Sequence, residues 1–163
     1  MTTRTLVPIP VRLDFDALAA RFSRAMGGLD AAAIAELDRH GVDRALREFV
    51  RLRASQLNGC AYCVDMHAED ARKAGATAQT VDAVAIWRDS GLFTAAERTA
   101  LALTEAVTRV ADRHVSAEVV DAAVDEHGEE GTAALVALIV TINAWNAIGV
   151  TTRCWSVAPR SGD

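Results

Sequence analysis

Two cysteines, Cys60 and Cys63, lie three residues apart near the middle of the chain, and His67 follows four residues after the second. Glu48 lies twelve residues before Cys60. If Cys60 opens a helix, positions i, i+3 and i+7 share one helical face and bring the thiols and the imidazole together. A preceding helix that folds back would add the Glu48 carboxylate. These groups suit dithiol redox chemistry, in which His67 moves protons and Glu48 orients the imidazole.

The start of a helix also makes a thiol more reactive. Free N–H groups and a partial positive charge stabilise a thiolate there and lower the thiol pKa. This effect favours Cys60, but it acts on both sulfurs of the first turn. His67 lies one turn from Cys63 and two turns from Cys60, and an imidazolium carries a full charge. We therefore predict that Cys63 attacks and that Cys60 condenses with it to close a disulfide.

Two other interpretations of these residues remain open. Free cysteines are commonly buried, so Cys60 and Cys63 could be inert core thiols. Alternatively, the two cysteines, His67 and Glu48 could bind zinc. Structural zinc sites usually draw pairs of ligands from separate elements, and the sequence contains no second Cys-x-x-Cys motif. Cys154 has no cysteine near it in sequence, and we expect it to be a bystander.

The elements that must position these residues are predicted to be helices. The chain has 163 residues, of which 51% are apolar and 5% aromatic, with three prolines. This composition favours helix, and no alternating apolar run indicates a strand. We predict an all-α fold of about six to eight helices. A compact domain should span residues 14–153, between an extended arm (1–13) and a tail (154–163).

Capping and stop signals give the helix boundaries. Asp43 should cap the helix that carries Glu48, and Asn58-Gly59 should end it before the cysteines. Gly27-Gly28 should end the first helix, and Asp30 should cap a short second one. Further signals are a capping box at Thr94–Glu97, a cap at Ser116, a stop near Gly128 and a stop at Gly75.

The last helix should run from about residue 130 to about residue 150. Its centre, Leu135 to Ile142, is apolar nearly all round, so it should be buried on most sides. A small domain has little room for such a helix. We therefore expect that a partner subunit covers part of it and that the protein is a homo-oligomer.

The overall charge and the apolar runs exclude several classes of partner. The net charge is −5, and no basic patch suited to nucleic acid is present. The longest apolar stretch, residues 133–142, is too short and too polar to span a bilayer, and the N-terminus has no apolar run typical of a signal peptide. The sequence predicts a cytoplasmic protein without membrane or nucleic-acid partners. In a reducing compartment, a close cysteine pair is more often catalytic or metal-binding than structural.

The spacing Glu48-x(11)-Cys60-x-x-Cys63-x(3)-His67 resembles the signature of the AhpD-like alkylhydroperoxidases, within the carboxymuconolactone decarboxylase superfamily. The flanking Leu-Arg-Ala-Ser-Gln-Leu-Asn-Gly-Cys-Ala-Tyr-Cys and the later Thr-Ile-Asn-Ala-Trp-Asn are similar too, and the resemblance covers roughly residues 14–153. It implies an all-helical fold that assembles as trimers or hexamers. It also implies reduction of organic hydroperoxides, a peroxiredoxin-type antioxidant activity.

The resemblance also implies roles for the four motif residues. Cys63 would be the peroxidatic cysteine, Cys60 the resolving cysteine, and Glu48 with His67 the proton relay. No cofactor is implied beyond the dithiol itself. A lipoyl-type dithiol is the implied reductant, and a thioredoxin-like protein is the alternative.

Tyr62 departs from the family pattern, because the best-studied members carry a histidine immediately before the second cysteine. A phenol with a pKa near ~10 is not a base at neutral pH. The relay in this chain would therefore depend on His67 and a water molecule. The decarboxylase branch, by resemblance, lacks the cysteine pair, which argues against lactone chemistry. Two other functions stay open: a thiol–disulfide oxidoreductase or redox sensor acting on a protein or lipoyl partner, and a non-catalytic helical assembly module.

Overall fold

The computed structural model describes residues 6–159, and the regular structure within that range is entirely helical. Its seven α-helices are α1 (Phe15–Leu18), α2 (Ala20–Arg39), α3 (Arg44–Asn58), α4 (Ala61–Lys73), α5 (Ala78–Ala83), α6 (Ala95–Thr108) and α7 (Ala117–Thr152). A 3-10 turn, Val84–Asp89, follows α5. The predicted all-α fold is confirmed, and the helix count lies within the predicted range.

The junction between α3 and α4 is built by local signals that the sequence displays. The Asp43 side chain accepts a hydrogen bond of 3.1 Å from the Leu46 N–H at the start of α3. Gly59 ends that helix with φ of 71°, a left-handed conformation that glycine adopts without strain. Cys60 then caps α4, and its N–H donates to the Ser55 carbonyl at 3.0 Å. The chain thus turns back at Gly59 and lays α4 against α3.

The glycine pair Gly27-Gly28 does not end a helix, contrary to the prediction. α2 continues through both glycines to Arg39, and the break lies earlier, at Ala19, where φ is −122° and ψ is 40°. A glycine costs a helix only about 1 kcal/mol relative to alanine. Buried residues on both sides of the pair, Met26 before it and Ala33 and Leu37 after it, pack one face of α2 on the core. This packing outweighs the weak local preference.

α7 contains one sharp break, at Gly128, where φ is 73° and ψ is 167°. The two predicted helices that meet near Gly128 are therefore present as the two segments of α7. The second segment supplies wholly buried residues such as Leu135, Leu138 and Ile139. Within residues 6–159, α7 is also the one helix that is long and apolar enough to cross a membrane, judged by length and composition only. Its buried face shows that part of this apolar character serves the core.

The core has two hydrophobic clusters, and α3 contributes to both. One cluster joins α2, α3, α6 and α7 and includes Val50 and Leu103. The other lies where α3 meets α4, α5 and the 3-10 turn, and it includes Phe49 and Trp87. Because α3 is held on both sides, the backbone that carries Glu48 has little freedom to move relative to α4.

Candidate active site

Cys60 and Cys63 are joined by a disulfide across the start of α4, with their Cα atoms 5.3 Å apart. Both residues are buried, with exposed fractions of 3% and 2%. The spacing in the sequence allows this bond, and the helix start supplies the required approach of the two side chains. The two cysteines are therefore close enough to be oxidised to a disulfide.

Glu48 reaches across from α3 and bonds the imidazole of His67. Its Oε2 lies 2.8 Å from His67 Nδ1, and the His67 side chain is 5% exposed. The predicted pairing of these two residues is present in the structure. It arises because α3 and α4 pack against each other directly after the turn at Gly59.

Arg51 holds the second oxygen of Glu48. Its Nη1 donates to Glu48 Oε1 at 3.0 Å, and its Nη2 donates to Asp30 Oδ1 at 3.0 Å. Burial raises the pKa of Glu48, but the hydrogen bond from His67 and the charge of Arg51 more than offset that effect, so the pKa lies below its ordinary value. Glu48 is therefore a carboxylate at neutral pH, despite being largely shielded from water.

The other ring nitrogen of His67 is left without a partner. Because the Glu48 carboxylate can only accept, Nδ1 must carry a proton, and in the neutral ring Nε2 is the acceptor. His67 Nε2 is buried and has no hydrogen-bond partner among the described residues. A buried polar atom without a partner is rare, and here it leaves one basic lone pair available to a reacting group.

A cavity of about 460 Å³ adjoins the disulfide, and Cys63 and His67 both form part of its wall. Cys60 is not among the residues that line it. A small molecule in this cavity would therefore meet the Cys63 sulfur and the His67 ring. This placement is consistent with the prediction that Cys63 attacks.

Three aromatic side chains pack together close to the disulfide. The Trp155 ring packs against Tyr62 and Trp145, with centroid distances of 5.7 and 5.6 Å. Its indole N–H donates to Asp16 Oδ2 at 2.9 Å. A Cβ at Gly149 would lie 3.1 Å from Cys60 Sγ and 3.2 Å from the Trp155 ring, so α7 approaches both Cys60 and Trp155 closely at this position.

An asparagine cluster fixes α3 to α7 directly before Cys60. Asn58 Nδ2 donates to Asn143 Oδ1 at 2.8 Å and to Asn146 Oδ1 at 3.0 Å. Asn146 is fully buried, and its amide donates to Ser55 Oγ at 3.0 Å. These bonds explain the two asparagines of the Thr-Ile-Asn-Ala-Trp-Asn segment. In an apolar helix each amide needs partners, and here the partners position the turn that carries Cys60.

Sequence analysis did not identify Arg51, Trp155 or the asparagine cluster as parts of the site. A polar residue within the apolar run of α7 was the available signal for the asparagines. Trp155 carries no such signal, because its position depends on the return of the chain after α7. Cys154 is a half-buried free thiol and does not line the cavity.

Three residues of the site form one group of possible metal ligands. Glu48, His67 and Asp70 each place one possible ligand atom within 4.8 Å of the others. Glu48, however, already bonds His67 and Arg51, and both sulfurs are engaged in the disulfide. Zinc binds thiolates, so a site with both cysteines would require the reduced pair. In this oxidised form, Glu48 and His67 form a hydrogen-bonded acid–base pair, and Cys60 and Cys63 form a disulfide.

Comparisons with known proteins identify relatives of this chain and solved structures with the same fold. Residues 20–106 match the model of the carboxymuconolactone decarboxylase family. The uncharacterized protein YdfG of Bacillus subtilis (strain 168) is 37% identical over 109 residues, which are 67% of this chain and 74% of that protein. ATU0492 of Agrobacterium tumefaciens, a protein of unknown function for which an AhpD role in antioxidant defence has been suggested, has a TM-score of 0.82 at 27% identity, over 92% of this chain and 100% of that chain. The debrominase Bmp8, in its apo form, has a TM-score of 0.70 at 20% identity over 87% of this chain and 74% of that chain, and so shares the fold.

Proposed function

Because the chain belongs to the carboxymuconolactone decarboxylase family, we propose that it is a peroxiredoxin-type dithiol peroxidase that reduces organic hydroperoxides. The observation that carries the proposal is that Cys63 and His67 share the wall of one cavity, while Glu48 holds the far side of the imidazole. A nucleophile (Cys63), a base (His67) and a carboxylate that orients the base (Glu48) thus lie next to one another, as in other sites that activate a thiol.

The first step starts from the reduced pair. His67 Nε2 takes the proton of the Cys63 thiol, and Glu48 stabilises the imidazolium that forms. The thiolate attacks the terminal oxygen of the hydroperoxide, so the S–O bond forms as the O–O bond breaks. The leaving alkoxide takes the proton from His67 and departs as an alcohol. Cys63 is then a sulfenic acid.

The second step closes the disulfide seen in the structure. The Cys60 thiol attacks the sulfur of the Cys63 sulfenic acid and releases water, and the pair has then given two electrons to the peroxide. A dithiol reductant restores both thiols by exchange through a mixed disulfide. Because Cys63 lines the cavity and is 2% exposed, a slender lipoyl-type dithiol fits this access better than the surface of a thioredoxin-like protein.

Two single substitutions test the proposal. Cys60→Ser should still consume about one equivalent of cumene hydroperoxide and leave a sulfenic acid on Cys63 that dimedone traps. Cys63→Ser should react no faster than an ordinary free thiol. Steady turnover by the unmodified protein with dihydrolipoamide is the third measurement.

Two outcomes would count against this proposal. A sulfenic acid trapped on Cys60 in the Cys63→Ser protein would reverse the two roles. Absence of peroxide consumption, combined with rapid reduction of protein or lipoyl disulfides, would favour the thiol–disulfide oxidoreductase instead. In that case Cys63 would still be the residue that meets the partner.

A further inference from the structure

We propose that the cavity beside Cys63 selects a bulky apolar ligand that carries no negative charge. The inference rests on the proposed function, because it names the class of hydroperoxide that the site would accept. It is drawn from the residues of the cavity wall, and anionic hydroperoxides, such as those of free fatty acids, belong to the class that it excludes.

The wall of the cavity is mostly apolar and aromatic. Its volume of about 460 Å³ lies in the range of roughly 300–1,000 Å³ that is common for small-molecule sites. The rings of Tyr62, Trp145 and Trp155 form one continuous aromatic group, since neighbouring centroids lie 5.6 to 5.7 Å apart. Ile142 and Met66 add aliphatic surface. Such a wall gains most from a large apolar or aromatic body.

The charged groups of the wall are mainly carboxylates. Asp16, Asp30 and Asp70 all line the cavity. Asp16 accepts hydrogen bonds from Ser23 Oγ at 2.7 Å and from the Trp155 indole, which hold its pKa below the ordinary value. It is therefore charged at neutral pH, although it is open to solvent and its field is partly screened.

Among the described residues, one arginine lines the cavity, and its charge is already paired with two carboxylates. The terminal nitrogens of Arg51 donate to Glu48 and to Asp30, and no lysine is found among the described residues that line the cavity. An anion that entered would lose its water, meet carboxylates, and have to compete with Glu48 and Asp30 for the charge of Arg51. An uncharged ligand avoids this cost.

One polar atom can anchor the reactive end of the ligand. His67 Nε2 is buried and unpartnered among the described residues, on a ring that lines the cavity. A hydroxyl or hydroperoxide group can donate to it, while the apolar body contacts the aromatic wall. Largely apolar walls with a few placed polar groups are typical of small-molecule sites, and here His67 would orient the ligand by one end.

The experiment measures binding and needs no turnover. The probes are 2-phenylpropan-2-ol and the same alcohol with a carboxylate in the para position, which differ by one negative charge. Trp145 and Trp155 lie in the wall, so ligand binding should change the tryptophan fluorescence of the disulfide form. We expect the uncharged alcohol to bind at least about tenfold more tightly than the carboxylate, a difference of about 1.4 kcal/mol.

Substitutions in the wall identify the source of the discrimination. Asp16→Asn and Asp70→Asn should each raise the affinity for the carboxylate probe and leave the affinity for the uncharged alcohol nearly the same. Asp125→Asn removes the same charge from an exposed position of α7 outside the cavity, and should leave the ratio unchanged. Equal affinity for the two probes, or no saturable binding of the uncharged alcohol, would overturn the inference. Preserved discrimination in a protein that does not turn over peroxide would overturn only the proposed function.

Discussion

At the scale of single residues, the site depends on a shielded carboxylate that keeps its charge. Glu48 is only 13% exposed at its side chain, yet two donors, His67 Nδ1 and Arg51, occupy its oxygens. The negative charge fixes the tautomer of His67, and in the proposed mechanism it stabilises the imidazolium that peroxide cleavage requires. The role of Glu48 can be tested separately from that of the sulfurs.

Glu48→Gln should slow the reaction with hydroperoxide by about 100-fold, near the lower end of what general acid–base groups contribute. The amide keeps the size of the side chain but removes the charge, so the imidazolium of His67 loses its stabilisation. The fold should survive, because an amide is easier to bury than a charge. Stopped-flow oxidation of the reduced protein measures the rate, and circular dichroism controls for folding. Unchanged kinetics in the folded variant would remove Glu48 from the mechanism.

Glu105 is a second shielded carboxylate, and its role is structural. Its Oε1 accepts from Trp87 Nε1 at 2.9 Å and from Arg53 Nε at 2.8 Å, and its Oε2 accepts from Arg88 at 2.8 Å. Burial raises the pKa of Glu105. These hydrogen bonds and the charge of Arg53 together lower it by more than burial raises it, so the pKa lies below its ordinary value of 4.5. The folded protein therefore holds this proton less tightly than the unfolded chain does.

The stabilising contribution of Glu105 should be complete above the ordinary pKa and should be lost as the pH falls through the lower pKa of the folded state. Glu105→Gln should reduce the free energy of unfolding by about 1–3 kcal/mol at pH 7, the scale of hydrogen bonds to charged groups. It should also flatten the acid side of the stability profile. Urea denaturation between pH 3 and pH 7 measures both effects. A profile that keeps the slope of the unmodified protein would contradict the assignment.

The residues that could be predicted from the sequence are those that helical periodicity determines. Cys60, Cys63 and His67 lie on one helix, and a single short turn brings Glu48 to them. Trp155 could not be predicted, because its place depends on how the chain returns after α7. The same holds for the asparagines, whose partners lie 85 to 91 residues away in sequence.

At the scale of helices, the structure shows where local preference yields to packing. Gly59 and Gly128 have positive φ and end or break helices as predicted, whereas Gly27 and Gly28 lie inside α2. The sequence alone does not distinguish these cases, because it does not show which face of α2 is buried. Gly149 is a third case. It lies inside α7, and glycine is needed there because any side chain would crowd its neighbours.

Gly149→Ala should destabilise the protein by about 1–3 kcal/mol, the usual cost of overpacking. The added Cβ would lie 3.1 Å from Cys60 Sγ and 3.2 Å from the Trp155 ring, so α7 or the indole must shift. Gly28→Ala is the matched control: nothing lies within 4 Å of its added Cβ. Alanine there should stabilise α2 by about 0.5–1 kcal/mol. Thermal denaturation of the two variants should give shifts of opposite sign, and a shift of the same sign would refute the contact.

At the scale of the whole molecule, α7 leaves an apolar stripe on the surface of the single chain. Leu135, Leu138 and Ile139 face the core, whereas Val140 is 51% exposed. Ala133, one heptad before it, and Ala147, one heptad after it, are exposed on the same side. A buried central helix with one uncovered apolar side supports the expectation of a homo-oligomer.

We predict that light scattering at micromolar concentration will show a trimer or a hexamer. Val140→Asp places a charge on the stripe and should shift the protein towards smaller species. Val110→Asp, at another exposed valine outside the helices, should leave the assembly intact. A monomer in the unmodified protein would contradict the prediction, and so would equal behaviour of the two variants.

The Cys60–Cys63 bond has a thermodynamic consequence for the redox cycle, because its sequence separation is only 3. A cross-link stabilises a protein largely by lowering the conformational entropy of the unfolded chain, and this effect grows with the logarithm of the loop that it closes. So short a loop restricts the denatured ensemble little, and both cysteines belong to the start of one helix in either redox form. Oxidation and reduction should therefore be nearly uncoupled from folding. If the proposed peroxidase cycle operates, the melting temperature of the protein should hardly depend on the redox state of its sulfurs.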